Sequence, residues 1–233
     1  MVTRAVEDYL KAIYKLQQDG MPASTNAIAD SMGLQAASVT AMLKHLSEQG
    51  LADYTRYQGV SLTDKGKEAA LRVIRRHRLI ELYLHQRLAV PWDRLHEEAE
   101  RLEHVISPYL EERIDAALGH PQFDPHGDPI PNSAGALPVQ DLVPLSELPL
   151  DTPSVVRRIS DHNPDLLRYV DSLGLVPDAT VKVTRREPFD GPLYLDVISP
   201  TDHTATPKEQ VIGAEIARSI FVSRPQEAPF DCL

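Results

Sequence analysis

Residues 96–104 read HEEAERLEH and carry the most informative pattern in the chain. In a helix of roughly 100° per residue, four side chains of this stretch fall within one arc of about 100°. They are His96, Glu100, Glu103 and His104. Their spacing is that of the stripe that a helix turns toward a core, yet each is a potential metal ligand. Burying bare carboxylates costs several kcal/mol each unless a cation compensates. The stretch therefore predicts a cation site, and the alternative interpretation is a solvated acidic face.

The composition is that of a globular protein, with 233 residues, 42% hydrophobic and 25% charged. No run approaches the roughly 18 apolar residues of a membrane helix, and the first ten residues lack the apolar core of a secretory signal. Cys232 is the single cysteine, which excludes an intrachain disulfide and favours a cytoplasmic protein. The formal charge of −10 lies beyond residue 72, because residues 1–72 contain 8 basic and 8 acidic side chains. This neutral part is compatible with a locally basic surface.

The first 50 residues predict three helices. Apolar residues recur with a helical period over residues 4–18. A second helix can be capped by Ser24 or Thr25 and ends near Gly33, and a third runs over about 35–49. Two short helices joined by a tight turn that contains glycine form a helix-turn-helix.

The outward face of the third helix carries small or hydrogen-bonding side chains, which suit contacts with base edges and phosphates in a DNA major groove. These side chains are Gln35, Ala37, Ser38, Thr40, Ala41 and Lys44. The β-rich stretches 51–56 and 59–62 then predict a hairpin where a winged helix carries its wing. Arg56, at the turn of that hairpin, is a candidate phosphate contact.

Two longer helices are predicted next. Thr63 caps the first of them, which continues to about Leu88. His77 and Glu81 stand at i and i+4 on it, a spacing that brings a nitrogen and an oxygen ligand to one point but is also common on helix surfaces. The second helix begins with HEEAERLEH and is predicted to extend to about Leu118. Because both helices are rich in Leu, Ile and Tyr, they predict the interface of a dimer.

The remainder of the chain predicts a linker and a small β domain. Residues 121–153 contain 8 of the 19 prolines, so they favour a linker. Short alternating runs then predict a small β-barrel, and Asn163-Pro164 opens a short helix within it. The runs are VVRRI, ATVKVTRR, LYLDVIS and RSIFV. The predicted fold is mostly α with a small β domain, organised as 1–72 (DNA binding), 73–120 (helical), 121–153 (linker) and 154–233 (β).

The assembled motifs resemble those of the diphtheria-toxin-repressor family of metal-dependent repressors, which has iron- and manganese-responsive members. The resemblance covers almost the whole chain. It rests on VEDYLKAIYKL at 6–16, SVTAMLKHLSEQGL at 38–51, LTDKG at 62–66, RHRLIELYL at 76–84 and HEEAERLEHVIS at 96–107. It implies a winged helix-turn-helix, a helical metal-binding and dimerisation domain, a proline-rich linker and an SH3-like C-terminal domain. It also implies a homodimer that binds a palindromic DNA operator and represses metal-uptake genes.

The resemblance implies two metal positions in this chain. The primary one would use Asp8, Glu100, Glu103 and His104, and the ancillary one would use His77, Glu81 and His96. Iron-responsive members have Met and Cys where this chain has Asp8 and Glu100, whereas manganese-responsive members have carboxylates there. Oxygen-rich sites favour hard cations, so Mn²⁺ is the predicted cofactor and Fe²⁺ the second choice.

Two departures from the family pattern bear on these sites. Two-domain manganese-responsive members carry a second acid where this chain has Lys11, which argues against the closely spaced metal pair of those members. In three-domain relatives, a Glu and a Gln three residues apart in the third domain reach the ancillary metal. His162 and Asp165 have that spacing here and are candidate ligands.

Two other classes of function compete with this prediction. A metallohydrolase is suggested by His96-Glu97, which begins like the zinc-protease helix signature, but the second histidine of that signature would fall at Glu100. A winged-helix repressor that senses an organic molecule would need an apolar pocket instead of a polar seam. The sequence therefore predicts a non-enzymatic, metal-dependent transcriptional regulator.

Overall fold

The computed structural model describes residues 3–17, 20–160, 163–200 and 206–225, and the chain divides into two compact units. The first comprises Met1–His77, Glu100–Arg113 and Pro131–Leu137, and the second comprises Arg78–Ala99, Ile114–Ile130 and Pro138–Leu233. None of the helices in the described ranges is long and apolar enough to cross a membrane.

The first unit opens with three helices and a hairpin. They are α1 (Arg4–Leu16), α2 (Thr25–Met32), α3 (Ala36–Glu48), β1 (Ala52–Thr55) and β2 (Gly59–Leu62). Ser24 caps α2 by accepting a hydrogen bond from the Ala27 amide at 3.0 Å, and Gly33 ends that helix with a φ of 64°. The two strands pair antiparallel. This arrangement confirms the winged helix-turn-helix.

The apolar stripes of these helices meet in one core. Its fully buried members include Leu10 and Ile13 of α1, Ile28 of α2, and Leu43 and Leu46 of α3. Burying each such side chain contributes about 1.5–3 kcal/mol, so the helical period of the apolar residues decides which faces turn inward. The face of α3 opposite this core is left to the solvent.

Helix α4 (Asp64–Leu88) follows the hairpin directly. Thr63 caps it by accepting a hydrogen bond from the Gly66 amide at 3.1 Å. A side chain at Gly66 would place its Cβ only 1.9 Å from the carbonyl oxygen of Leu51. Glycine is therefore required for the close approach of α4 to the backbone that precedes β1.

The helix predicted over about 96–118 is two helices. The first, α5 (Leu95–Leu102), ends in a turn, and the second is α6 (Pro108–Ala117). The hydroxyl of Ser107 accepts a hydrogen bond from the first turn of α6, and Pro108 occupies the first helical position. Proline disfavours the helical conformation in the residue before it and removes a backbone donor, so the sequence favours a helix break at this point. The single-helix prediction was wrong.

The second unit contains a six-stranded antiparallel sheet in the order β3-β8-β4-β5-β6-β7. The strands are β3 (Leu142–Pro144), β4 (Pro153–Ile159), β5 (Thr180–Arg186), β6 (Leu193–Ile198), β7 (Lys208–Ile212) and β8 (Ile220–Ser223), with α7 (Pro164–Ser172) and α8 (Ala214–Ser219). Alternate residues along β6 are buried, as a sheet with one core face requires. The small β domain is thus confirmed, and β3 adds a strand from within 121–153.

Candidate metal centre

Four side chains of the first unit bring potential ligand atoms to one place. Asp8 lies on α1, Glu100 lies near the end of α5, and Glu103 and His104 lie in the turn that follows α5. One ligand atom from each of them lies within 4.8 Å of the others. The four residues predicted as the primary group are therefore adjacent, although two of them lie beyond the helix on which the sequence placed them.

The imidazole of His104 is held in one tautomer by a residue that the sequence analysis did not single out. Nδ1 of His104 lies 2.6 Å from Oε2 of Glu7, and Oε1 of Glu7 accepts a hydrogen bond from Nη2 of Arg76 at 2.8 Å. A carboxylate can only accept, so Nδ1 donates and a neutral His104 keeps a lone pair at Nε2. Metal-ligating histidines usually have their second nitrogen bonded in this way.

Nε2 of His104 and Oδ1 of Asp8 show that this donor set fits a cation. The two atoms lie 2.8 Å apart and are both buried. Within the described ranges, neither has a partner in hydrogen-bonding geometry. Buried polar atoms are normally satisfied, and a divalent ion bound to a neutral His104 and an ionised Asp8 would satisfy both atoms at once.

Glu103 is fully buried, and both of its carboxylate oxygens are engaged. Oε2 lies 2.5 Å from Nδ1 of His77, and Oε1 accepts a hydrogen bond from Nζ of Lys11 at 2.6 Å. Burial alone would raise the pKa of Glu103, but His77 and Lys11 outweigh it and lower that pKa. Glu103 is therefore an ionised carboxylate at neutral pH.

Lys11 brings a positive charge into the primary group. Its Nζ also lies 2.5 Å from Oε1 of Glu100. Burial would lower the pKa of Lys11, but the carboxylates of Glu103 and Glu100 outweigh burial and raise it. Burial raises the pKa of Asp8 against the opposing effects of His104 and Lys11. The site thus combines three acidic side chains with one ammonium group.

The residues predicted as the ancillary group also converge. Glu81 follows His77 by one turn of α4, and its Oε1 lies 3.6 Å from Nδ1 of His96 at the start of α5. One ligand atom from each of the three lies within 4.8 Å of the others. His77 is the member that also contacts Glu103 of the primary group, through Nδ1.

Two further acidic side chains and one arginine lie in the surroundings of Glu81. Burial raises the pKa of Asp124 well above its usual value, and the carboxylates of Glu81 and Asp128 add to that effect. Arg78 offsets part of this charge, at 3.6 Å from Asp124 and 3.7 Å from Asp128. His126, which the sequence placed in a linker, is fully buried. Prolines therefore surround a folded, polar segment here.

The two candidates in the C-terminal part have different outcomes. His162 lies outside the described residues. Asp165 lies on α7, where its exposed carboxylate pairs with Arg168. Among the residues that the structure describes, Asp165 belongs to neither ligand group.

The side chains predicted to contact DNA lie on the solvent-facing side of the first unit. Five of the six residues predicted on the third helix are exposed, and the sixth, Thr40, is half-buried and donates a hydrogen bond to the Ala36 carbonyl at 2.9 Å. The exposed five are Gln35, Ala37, Ser38, Ala41 and Lys44. Arg56 is exposed in the hairpin turn, with its guanidinium 4.8 Å from the ring centre of Tyr57.

Comparison with known proteins covers most of the chain. Residues 1–60 match the family "Iron dependent repressor, N-terminal DNA binding domain", residues 63–132 match "Iron dependent repressor, metal binding and dimerisation domain", and residues 143–224 match "FeoA domain". The iron-dependent repressor IdeR of Mycobacterium tuberculosis (strain H37Rv) is 34% identical over 189 residues, which span 76% of this chain and 82% of that protein. The regulator MntR of Oceanobacillus iheyensis is 35% identical over 107 residues, 46% of this chain and 72% of that protein.

Solved structures agree with the sequence relatives. A manganese-dependent transcriptional repressor in complex with manganese has a TM-score of 0.84 and 38% identity, covering 94% of this chain and all of that one. IdeR of T. acidophilum has a TM-score of 0.73 and 27% identity, covering 94% and 97%.

A winged helix-turn-helix joined to carboxylate and histidine groups that fit a cation defines a metal-dependent DNA-binding transcriptional repressor, which dimerises and is not an enzyme. The chain belongs to the diphtheria-toxin-repressor family. This membership sets aside the metallohydrolase and the sensor of an organic ligand.

Proposed function

We propose that this protein is a manganese-responsive repressor of metal-uptake genes. The observation that carries the proposal is the primary group itself, in which three carboxylates and one imidazole converge without a sulfur ligand. Hard oxygen donors favour Mn²⁺, whereas thiolate and thioether donors favour softer ions. Iron is the second candidate, because relatives of both kinds are similar to this chain.

The primary position would be held by Asp8, Glu100, Glu103 and His104. A bound divalent ion supplies positive charge at the point where α1 meets the turn after α5. In this proposal, Glu7 orients His104 through Nδ1. Asp8 would bind the ion and so tie α1, the first helix of the DNA-binding domain, to the site. Without the ion, the single ammonium of Lys11 offsets only part of the charge of three carboxylates, so α1 is held less tightly. The dimer would then present its two α3 helices at the spacing of palindromic half-sites only when metal is bound.

The dimer interface includes an apolar surface at residues 102–110 in this proposal. Val105 and Tyr109 are 74% and 73% exposed, and Leu102 and Leu110 are also exposed. Exposed apolar side chains this close together in the chain usually mark a protein contact, and the family dimerises. The occupant we propose is the same surface of a second copy, as two-fold symmetry requires.

A repressor acts where the DNA is, so we place the protein in the cytoplasm.

The direct test measures DNA binding against metal concentration. Fluorescence anisotropy of operator-length DNA is followed while Mn²⁺, Fe²⁺ and Zn²⁺ are titrated separately, with Fe²⁺ kept anaerobic. We expect Mn²⁺ to activate binding at concentrations at which a metal-free sample remains unbound. Binding that is equally tight with a chelator present would contradict metal dependence, and activation by Fe²⁺ but not Mn²⁺ would replace manganese by iron.

The DNA contacts predict different effects for two kinds of residue. Lys44→Ala and Arg56→Ala each remove an exposed charge, so binding should weaken for all sequences and the slope of log affinity against log salt should fall by about one. Ser38→Ala and Thr40→Ala should instead change sequence preference. Arg185→Ala removes an exposed charge from β5, in the second unit, and is the control. Unchanged salt slopes in both charge variants would exclude this face.

The ancillary group predicts a loss of metal stoichiometry. His96→Ala removes one of the three candidate ligands of the ancillary group and leaves the primary group unchanged. Dialysed protein should therefore hold one metal ion fewer per chain. Activation of DNA binding should fall less than in variants of the primary group. Elemental analysis measures the stoichiometry. His77→Ala is less clean, since His77 also contacts Glu103. If His96→Ala keeps the parental metal content, the ancillary site is absent.

A further inference from the structure

Lys11 is a basic side chain that lies against two of the primary ligands, where it bonds Glu100 at 2.5 Å and Glu103 at 2.6 Å. Its side chain is only 8% exposed. The residue follows Asp8 by one turn of α1, on the same helix that delivers a ligand. A buried ammonium bonded to two carboxylates supplies part of the positive charge that a metal ion would supply.

A metal ion that binds the carboxylate of Glu103 would lie close to both of its present partners. Oε2 lies 2.5 Å from Nδ1 of His77, and Oε1 is bonded to Lys11 and lies 3.1 Å from Nε2 of His104. Since metal–oxygen bonds are about 2.1 Å long, an ion on Oε1 would lie at most about 4.7 Å from Nζ. Two cations at that separation in a buried site repel each other.

Of the two partners of Glu103, Lys11 is the one able to leave. The ring of His77 is held on a buried turn of α4 and has no long stem. Lys11 has a four-carbon stem that lets an ammonium reach solvent while its methylene groups stay packed. The ammonium is strongly hydrated in water, which offsets the loss of its two carboxylate partners.

We propose that Lys11 and the activating metal compete for Glu100 and Glu103, so that metal binding releases the Lys11 ammonium to solvent and Lys11 sets the metal concentration at which the repressor switches. The inference rests on the proposed primary site. Lys11 is an affinity-setting residue and not a ligand. The ammonium holds α1 against the end of α5 and the turn after it with two hydrogen bonds, whereas an ion ligated by four residues would join the same elements more tightly.

The first test compares Mn²⁺ affinities by calorimetry. Lys11→Met removes the competing charge and retains an apolar stem, so its half-saturating Mn²⁺ concentration should fall at least tenfold. Lys15→Met makes the same charge change on an exposed position of the same helix and should bind as the parent does. An unchanged or weaker affinity in Lys11→Met overturns the competition.

The second test uses the unaltered protein, so it does not depend on the folding of a variant. An amine-acetylating reagent is applied with and without saturating Mn²⁺, and the modified peptides are quantified by mass spectrometry. Lys11 should react at least tenfold faster with Mn²⁺, while exposed Lys15 should react at the same rate in both samples. Equal reactivity of Lys11 in a sample that calorimetry shows to bind Mn²⁺ overturns the release. Absence of Mn²⁺ binding would instead overturn the proposed function.

Discussion

Glu103→Gln should weaken metal-activated DNA binding by about 100-fold or more, because even residues that only support a ligand change metal affinity by 10–100-fold. The change preserves the size of the side chain and removes the negative charge at the centre of the primary group. Glutamine can still bond His77 or Lys11, so the fold should survive. Anisotropy of operator-length DNA against Mn²⁺ concentration measures the effect.

The matched control for this variant is Glu97→Gln. Glu97 lies on α5, is exposed, and belongs to neither ligand group within the described ranges. The same loss of charge there should leave activation as in the parent. Circular dichroism verifies that both proteins are folded. Parental activation in a folded Glu103→Gln protein would remove Glu103, and with it the turn after α5, from the switch.

The ligand groups could be predicted because their residue types are out of place in an apolar pattern. Four potential ligands with core-facing spacing in HEEAERLEH indicated a cation site, and the family resemblance added Asp8. In the structure the members of each group lie close to one another. The helical arc that first suggested the site is not formed, because Glu103 and His104 lie in a turn. Pro108 was the sequence signal for that break.

Supporting residues were harder to predict than ligands. Glu7 precedes Asp8 and looks like any surface acid of a first helical turn, and only the tertiary contact with His104 and Arg76 reveals its role. Lys11 was noticed as a departure from relatives, but its bonds to Glu100 and Glu103 depend on how α1 meets α5. Contacts between residues that are about 90 positions apart leave no local pattern.

The C-terminal part illustrates another limit. Strands β4, β5, β6 and β8 were predicted because apolar and polar residues alternate along them. Strand β3 was not predicted because prolines surround it. Its own Pro144 is tolerated because β3 lies at the edge of the sheet, where fewer backbone donors are needed. Edge strand β7 (KEQVI) was also not predicted, because it has only one buried side chain, Ile212, and apolar and polar residues do not alternate clearly along it. Composition alone also could not show that His126 is buried.

Replacing Asp8 by Met and Glu100 by Cys together should raise the half-activating Mn²⁺ concentration by one or more orders of magnitude. The double change leaves Glu103 and His104 in place and exchanges two oxygen donors for a thioether and a thiol. Mn²⁺ stands lowest in the general affinity order and gains little from soft donors, whereas Fe²⁺, Co²⁺ and Ni²⁺ stand higher and should lose much less. DNA anisotropy against each metal, under anaerobic conditions, gives the half-activating concentrations.

The quantity to compare is the ratio between metals within each protein, because the double change also removes one carboxylate partner of Lys11 and alters packing for every metal alike. Asp8→Asn with Glu100→Gln is the matched control, since it removes the same two charges but keeps oxygen donors. That control should weaken all metals and leave the ratio of Mn²⁺ to Fe²⁺ near its parental value. Ligand softness sets selectivity only if the Met and Cys protein shifts that ratio toward Fe²⁺ and the control does not. An equal ratio in all three proteins would mean that Asp8 and Glu100 contribute charge and not selectivity, and the preference for manganese would lose its basis.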